Sequence, residues 1–208
     1  MKKTLFSLFL AFSILIQAQN RNNDAAAAGI AAGAMAITFL AAGIAKKEAA
    51  KQISQFRSKE YIINNIVGEA GTKEIKFETE SLASDNDGGL ISVAFNCDDV
   101  NERGLLLAFF GENRDPTGYI GNAYAFRYLP LDEAKSVLER LQKIREDHSK
   151  YLSADNNVNN VYVQHKDIKF VFYRENGNQI RVFWNGFEVI WEQVAFDRTK
   201  RRLDKWFK

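Results

Sequence analysis

Apolar residues change their spacing several times along this chain, and each change predicts a different element. Residues 5–16 form a short unbroken apolar run behind Lys2 and Lys3. Residues 25–45 carry no charge, and 14 of these 21 residues are Ala or Gly. Beyond them Ile53, Phe56, Ile63, Ile66 and Val67 fall at partly helical spacing, predicting a helix that stops at Gly68 or Gly71. From Thr72 the period drops to two. Ile75, Phe77 and Thr79 alternate with Lys76, Glu78 and Glu80, the pattern of a half-exposed strand.

Continuous apolar stretches at 89–96 and 105–110 predict two buried strands, and residues 122–129 a fourth, after a loop holding Pro116 and Gly118. Pro130 ends that strand. The helix that follows places Leu131, Ala134, Leu138, Leu141, Ile144 and Tyr151 on one face, with Asp132 and Glu133 in its first turn, where the helix dipole favours acids. Asn176-Gly177 and Asn185-Gly186 are hairpin signals, because type I′ turns need residues that tolerate positive φ. They separate strands at 168–174, 180–184 and 187–196, with a short one at 161–163 before them, and a basic helix at 197–208 closes the chain.

These elements predict an α+β fold. Its antiparallel sheet has about seven or eight strands, with a long central helix and a C-terminal helix, preceded by an Ala/Gly-rich N-terminal helix. Three regions follow: 1–18, 19–67 and 72–208. The order of four strands and a helix, then four strands and a helix, suggests a duplicated layout, although no residue-level repeat accompanies it.

The basic start and short apolar run of residues 1–18 have the form of an export signal, with Ile16 and Ala18 at the −3 and −1 positions of a cleavage site. No Cys follows the run, so a bacterial lipoprotein anchor is excluded. Asn23 or Asp24 can cap the Ala-rich helix expected next. In that helix Ile30, Ile37 and Ile44 are seven residues apart, as are Gly29, Ala36 and Gly43. Gly29 and Gly33 form a GxxxG, a smooth surface that a second helix backbone can approach closely. At helical rise the segment is about 30 Å long, matching a bilayer core. Ala contributes little to membrane insertion, so its hydrophobicity is marginal.

Lys46, Lys47 and Lys51 follow directly and would hold the C-terminal side in the cytoplasm if the segment spans. The preferred expectation is an exported periplasmic or envelope domain, associated with a membrane or with itself through residues 25–45. The alternative is an inner-membrane anchor with residues 72–208 in the cytoplasm.

Charge changes the picture little. The 208-residue chain has a formal charge of +2, and loss of Lys2 and Lys3 with residues 1–18 leaves 26 basic and 26 acidic side chains. Neutrality gives no reason to expect nucleic acid. The last eleven residues hold six basic groups and one acid. Arg201, Arg202, Lys205 and Trp206 are therefore candidates for lipid contact, set against the plainer reading of a terminal helix docked on the sheet.

Chemical motifs are sparse. Cys97 is the sole cysteine, and His148 and His165 are the two histidines, so neither a zinc site nor a Cys–His dyad is expected. Asp85-Asn86-Asp87-Gly88 resembles a calcium loop only superficially, since Ala83 and Ala94 fall where the first and twelfth ligands belong. Lys169–Arg174 mixes aromatics and bases, but Phe170 and Phe172 share a face with Ile168, as core residues do. No catalytic, cofactor-binding or metal-ligating set is expected. The function read from the sequence is a non-catalytic envelope binding or scaffolding protein. One alternative is an enzyme whose site is assembled from Cys97, Asp98 and Asp99 with Glu112–Asp115. Another is a membrane-active effector with a self-associating glycine-bearing helix.

Overall fold

A computed structural model describes residues 45–68, 74–85, 89–155 and 158–208. The fold is α+β: eight antiparallel strands with helices packed on them. Helix α1 (Ala45–Ile62) continues through a π-turn at Ile63–Val67 and stops at Gly68, whose φ of 67° leaves helical space. Strands β1 (Glu78–Ser84), β2 (Leu90–Cys97), β3 (Glu102–Arg114) and β4 (Ile120–Pro130) form a meander followed by α2 (Leu131–Asp147) and α3 (Ser149–Ala154). Strands β5 (Val161–His165), β6 (Ile168–Arg174), β7 (Asn178–Trp184) and β8 (Phe187–Glu192) form a second meander followed by α4 (Gln193–Trp206). The duplicated layout is therefore present as topology.

The two meanders join at the end of β3, where Asn113 pairs with Phe187. Arg114 donates its N–H to the Gly186 carbonyl at 2.9 Å. Asn185 and Gly186 both have positive φ, 47° and 82°, as a two-residue type I′ hairpin requires. A Cβ on Gly186 would lie 2.3 Å from the Arg114 carbonyl oxygen, so only glycine fits the seam. The turn between β5 and β6 is also two residues long, Lys166-Asp167, with Lys166 at φ 52°.

Strand β2 is buried along nearly its whole length because it has helices on both faces. Ile91, Val93 and Phe95 pack with Leu106, Ala108 and Phe110 in an outer core closed by Ile62 of α1. Leu90 and Ala94 join Leu105, Leu107 and Phe109 in the main core, which α2, α3, α4 and the inner face of the second meander complete. Helix α1 touches the sheet through Ser54, Ser58 and Ile62, each fully buried and four residues apart. The serine hydroxyls donate to their own helix, to the carbonyls of Lys51 (2.7 Å) and Gln55 (3.0 Å), so burying them leaves no donor unmet. Small residues here let the helix backbone approach the sheet closely, while Phe56 and Ile63 of the expected stripe face outward.

Other boundaries shift for local reasons. The expected long helix ends at Asp147, and α3 begins afresh after the exposed His148, burying Leu152 and leaving Tyr151 outside. The expected 187–196 strand stops at Glu192, because Ala195, Phe196 and Thr199 are buried at helical spacing. In β1 a register shift between Ser81 and Ala83 breaks the alternation and buries Leu82 and Ala83 together.

Candidate functional site

The seam between the meanders opens into a cleft of about 550 Å³. Its walls come from the end of β3, the loop after it, the β5–β6 turn and the β7–β8 hairpin, and they include Arg114, Asp115, Asp167, Lys169, Trp184 and Glu188. Two of the walls are set by the β5–β6 and β7–β8 turns described above. The two-residue Lys166-Asp167 turn projects Asp167 toward β4 and β7. Arg127 donates to its Oδ1 through Nε (3.1 Å) and Nη2 (2.9 Å), and the Trp184 indole N–H donates to Oδ2 at 2.8 Å. Burial pushes the Asp167 carboxyl up, but these hydrogen bonds and the Arg127 charge outweigh it and hold the pKa below the ordinary carboxylate value. An acid with both oxygens engaged and a lowered pKa is a fixed acceptor and a poor proton carrier. The Trp184 ring stacks on Phe187 and packs against Phe109, which fixes that wall in the main core.

The β3–β4 loop on the opposite side is equally well fixed. Asp115 Oδ1 accepts from the Thr117 N–H (2.9 Å), the Thr117 hydroxyl (2.6 Å) and the Tyr119 N–H (3.0 Å). The Thr117 hydroxyl bond, with the backbone bonds, lowers the Asp115 pKa against an opposing cost of desolvation. Arg114 and Lys169 form no ion pair among the described residues, so two cations remain available at the cleft. The lining thus sets Arg114 and Lys169 beside the carboxylates of Asp115, Asp167 and Glu188.

A second polar cluster lies at the start of α2. Glu133 Oε1 is 2.7 Å from His165 Nε2, and Glu133 Oε2 accepts from Lys166 Nζ at 2.7 Å. Burial pushes the Glu133 carboxyl up, yet the bonds from Lys166 and His165 bring it below its ordinary value. The carboxylate is thus ionised, and Nε2 must be the donor. Tyr128 donates its hydroxyl to Glu102, and burial together with that carboxylate pushes the phenol pKa upward. The cluster latches the β5–β6 turn to α2.

The residues singled out from the sequence fall in distinct places. Cys97 is fully buried and its thiol donates to the Lys76 carbonyl at 3.4 Å, while neither histidine reaches it. Cys97, Asp98 and Asp99 lie at one end of β3 and Glu112–Asp115 at the other, roughly 30 Å apart at strand rise, so the two groups share no pocket. Asp85 is buried and accepts from the Glu192 N–H at 2.9 Å, tying the β1–β2 hairpin to the start of α4. Among the described residues no three metal-ligating side chains converge. Phe170 and Phe172 are buried in the main core.

On α4, Trp206 packs against the main core and edge-on to Phe207. Arg202 donates to the Leu82 carbonyl at 2.8 Å, and Arg201 and Lys205 are exposed. Gly29, Gly33, Gly43, Ile30, Ile37 and Ile44, like residues 1–18, lie outside the described residues. Among the described residues no helix is long and apolar enough to cross a membrane.

The Asp167–Arg127–Trp184 arrangement was not legible from the sequence. Its members come from two strands and a turn, and each alone looks like an ordinary surface residue. The one available signal was the pair of Asn-Gly hairpins, which fixes where Trp184 ends its strand. Compared with known proteins, the chain matches no family model, no curated protein and no solved structure.

Proposed function

We propose that this chain is an exported envelope protein that binds or scaffolds without catalysis, and that residues 25–45 hold its domain at a membrane. The observation that carries the reading is the attachment of α1. The uncharged stretch ends at Ala45, where α1 begins, and α1 is fixed to the sheet within three turns by Ser54, Ser58 and Ile62. No linker intervenes, so whatever holds the stretch also holds the domain. The tether is the stretch itself and not α4, whose Trp206 is turned toward the core. The seam cleft, which sets Arg114 and Lys169 beside Asp115, Asp167 and Glu188, is the binding surface of this reading.

Two measurements on whole cells test the proposal together. N-terminal sequencing of the mature protein is expected to begin at Gln19. External protease applied to spheroplasts is expected to digest the domain while it remains in the membrane fraction. A domain protected until the inner membrane is lysed would instead place it in the cytoplasm and overturn the exported reading.

A further inference from the structure

Helix α1 has an outward face with an order of its own. Ser54, Ser58 and Ile62 are buried against the sheet. On the opposite side Phe56 (68%) and Ile63 (49%) stand exposed, one of them two helical turns beyond the other. Lys59 and Glu60 lie between them. Successive residues are about 100° apart around a helix, so these two charges flank the line from Phe56 to Ile63, one on each side. The four side chains and Asn64 line an open hollow of about 240 Å³.

The face is also set in advance. The Arg57 guanidinium lies 5.8 Å from the centre of the Phe56 ring and 5.5 Å from that of Tyr124 in β4, and it donates to Glu60 at 2.6 Å. One cation at the contact with the sheet thus holds both Phe56 and Glu60, which lowers the ordering cost of an association. Lys59 forms no ion pair among the described residues. Apolar side chains one heptad apart, with opposite charges flanking the space between, form a surface on which a second helix packs.

The charges decide which helix fits and in which direction. Two copies of α1 laid side by side in the same direction are related by a two-fold axis parallel to the helices. That axis brings each flank of one helix against the opposite flank of the other. Phe56 then meets Phe56 of the second copy and Ile63 meets Ile63. Lys59 meets Glu60 on both sides of the seam, about 1.5 Å apart in height. Laid in opposite directions, the helices would match like flanks, setting Lys59 against Lys59 and Glu60 against Glu60. The parallel pairing joins apolar contact to charge complementarity, and the antiparallel one opposes them.

We infer that the outward face of α1 is the contact surface of a parallel, two-fold dimer of this chain, with Phe56 and Ile63 in the seam and Lys59 paired to Glu60 of the second copy. One helix from each copy makes a small interface, so the dimer is reversible and concentration-dependent. The pairing draws on residues 56–63 and is independent of the membrane reading above.

Sedimentation velocity of the full chain in uncharged detergent tests the pairing. Lys59→Glu sets carboxylates against each other on both sides of the seam, and Glu60→Lys does the same with ammonium groups. Both positions are exposed, so folding is retained. Each variant alone is expected to dissociate about tenfold or more readily than the parent, because like charges face one another. An equimolar mixture of the two is expected to recover the parent's association, since one then carries only acids on that face and the other only bases. Ile63→Cys, oxidised with copper–phenanthroline, is expected to form a disulfide-linked dimer faster than Glu139→Cys on the exposed side of α2. The native Cys97 is fully buried and stays out of that reaction. A parent chain that sediments as a monomer at every concentration overturns the inference. So do single variants that associate as the parent does, or a mixture no tighter than its components. Cross-linking at position 63 no faster than at 139 rules out the parallel seam and overturns it as well.

Discussion

The two meanders have the same strand order and hairpin connections but different exposure. In the first, β2 and β3 are buried on both faces, because α1 closes the outer side and the main core the inner. In the second, β6 and β8 alternate, with Ile168, Phe170, Phe172, Phe187, Val189 and Trp191 inside and the residues between them mostly outside. Its outer face is covered by its own long side chains. Arg181 lies 5.3 Å from the Tyr173 ring centre and pairs with Glu188 at 3.0 Å, which leaves Tyr173 buried with no helix over it among the described residues. One topology thus carries two hydrophobic patterns, and the pattern reports whether a second layer is present. The first meander carries α1, and the second carries the Asp167 and Trp184 wall of the cleft.

This difference can be broken most strongly at the α1 contact. Ile62→Ala removes a fully buried side chain of the outer core and is expected to lower unfolding stability by about 2–5 kcal/mol in denaturant titration. Gly186→Ala attacks the seam instead. It forces a Cβ against the Arg114 carbonyl at positive φ and is expected to cost more than about 2 kcal/mol, with loss of the β3–β8 pairing visible in amide chemical shifts. Ser58→Leu overpacks the close approach of α1 and is expected to cost about 1–3 kcal/mol, whereas Ser58→Ala is nearly neutral because the hydroxyl bonds only its own helix.

A smaller effect concerns acid. Glu133 has a lowered pKa when folded, so its stabilising contribution is complete above its ordinary value of 4.5 and is lost as pH falls through the lowered value. Glu133→Gln is expected to flatten that part of the stability–pH curve and to loosen the β5–β6 turn; an unchanged acid limb would refute the latch. The smallest effect is expected on the uncovered face, where Ile190→Ala should stay within about 0.5 kcal/mol of the parent.

The sequence made the strand periods and the two Asn-Gly turns legible because backbone requirements there select recognisable residues. It hid the Lys166-Asp167 turn, where a lysine occupies positive φ. The α1 contact was hidden for a different reason. Ser54 and Ser58 are polar by type and interior by size, so the hydrophobic stripe pointed to Phe56 and Ile63 on the wrong side. Val194, Ala195 and Phe196 extend the β8 apolar run, yet Ala195 and Phe196 serve as neighbouring core positions of a helix. The cleft was hidden because Asp167, Arg127 and Trp184 meet only after two turns and a strand register are set.

The account depends above all on α1 being an integral layer of the first meander. Amide hydrogen exchange on the full chain tests this directly. Residues 54–62 are expected to exchange with the same free energy as β2 and β3, the most protected strands, and more slowly than the edge strand β5. Exchange of residues 54–62 ahead of β5 would show that α1 opens independently of the sheet, and would contradict its place as an integral layer of the first meander.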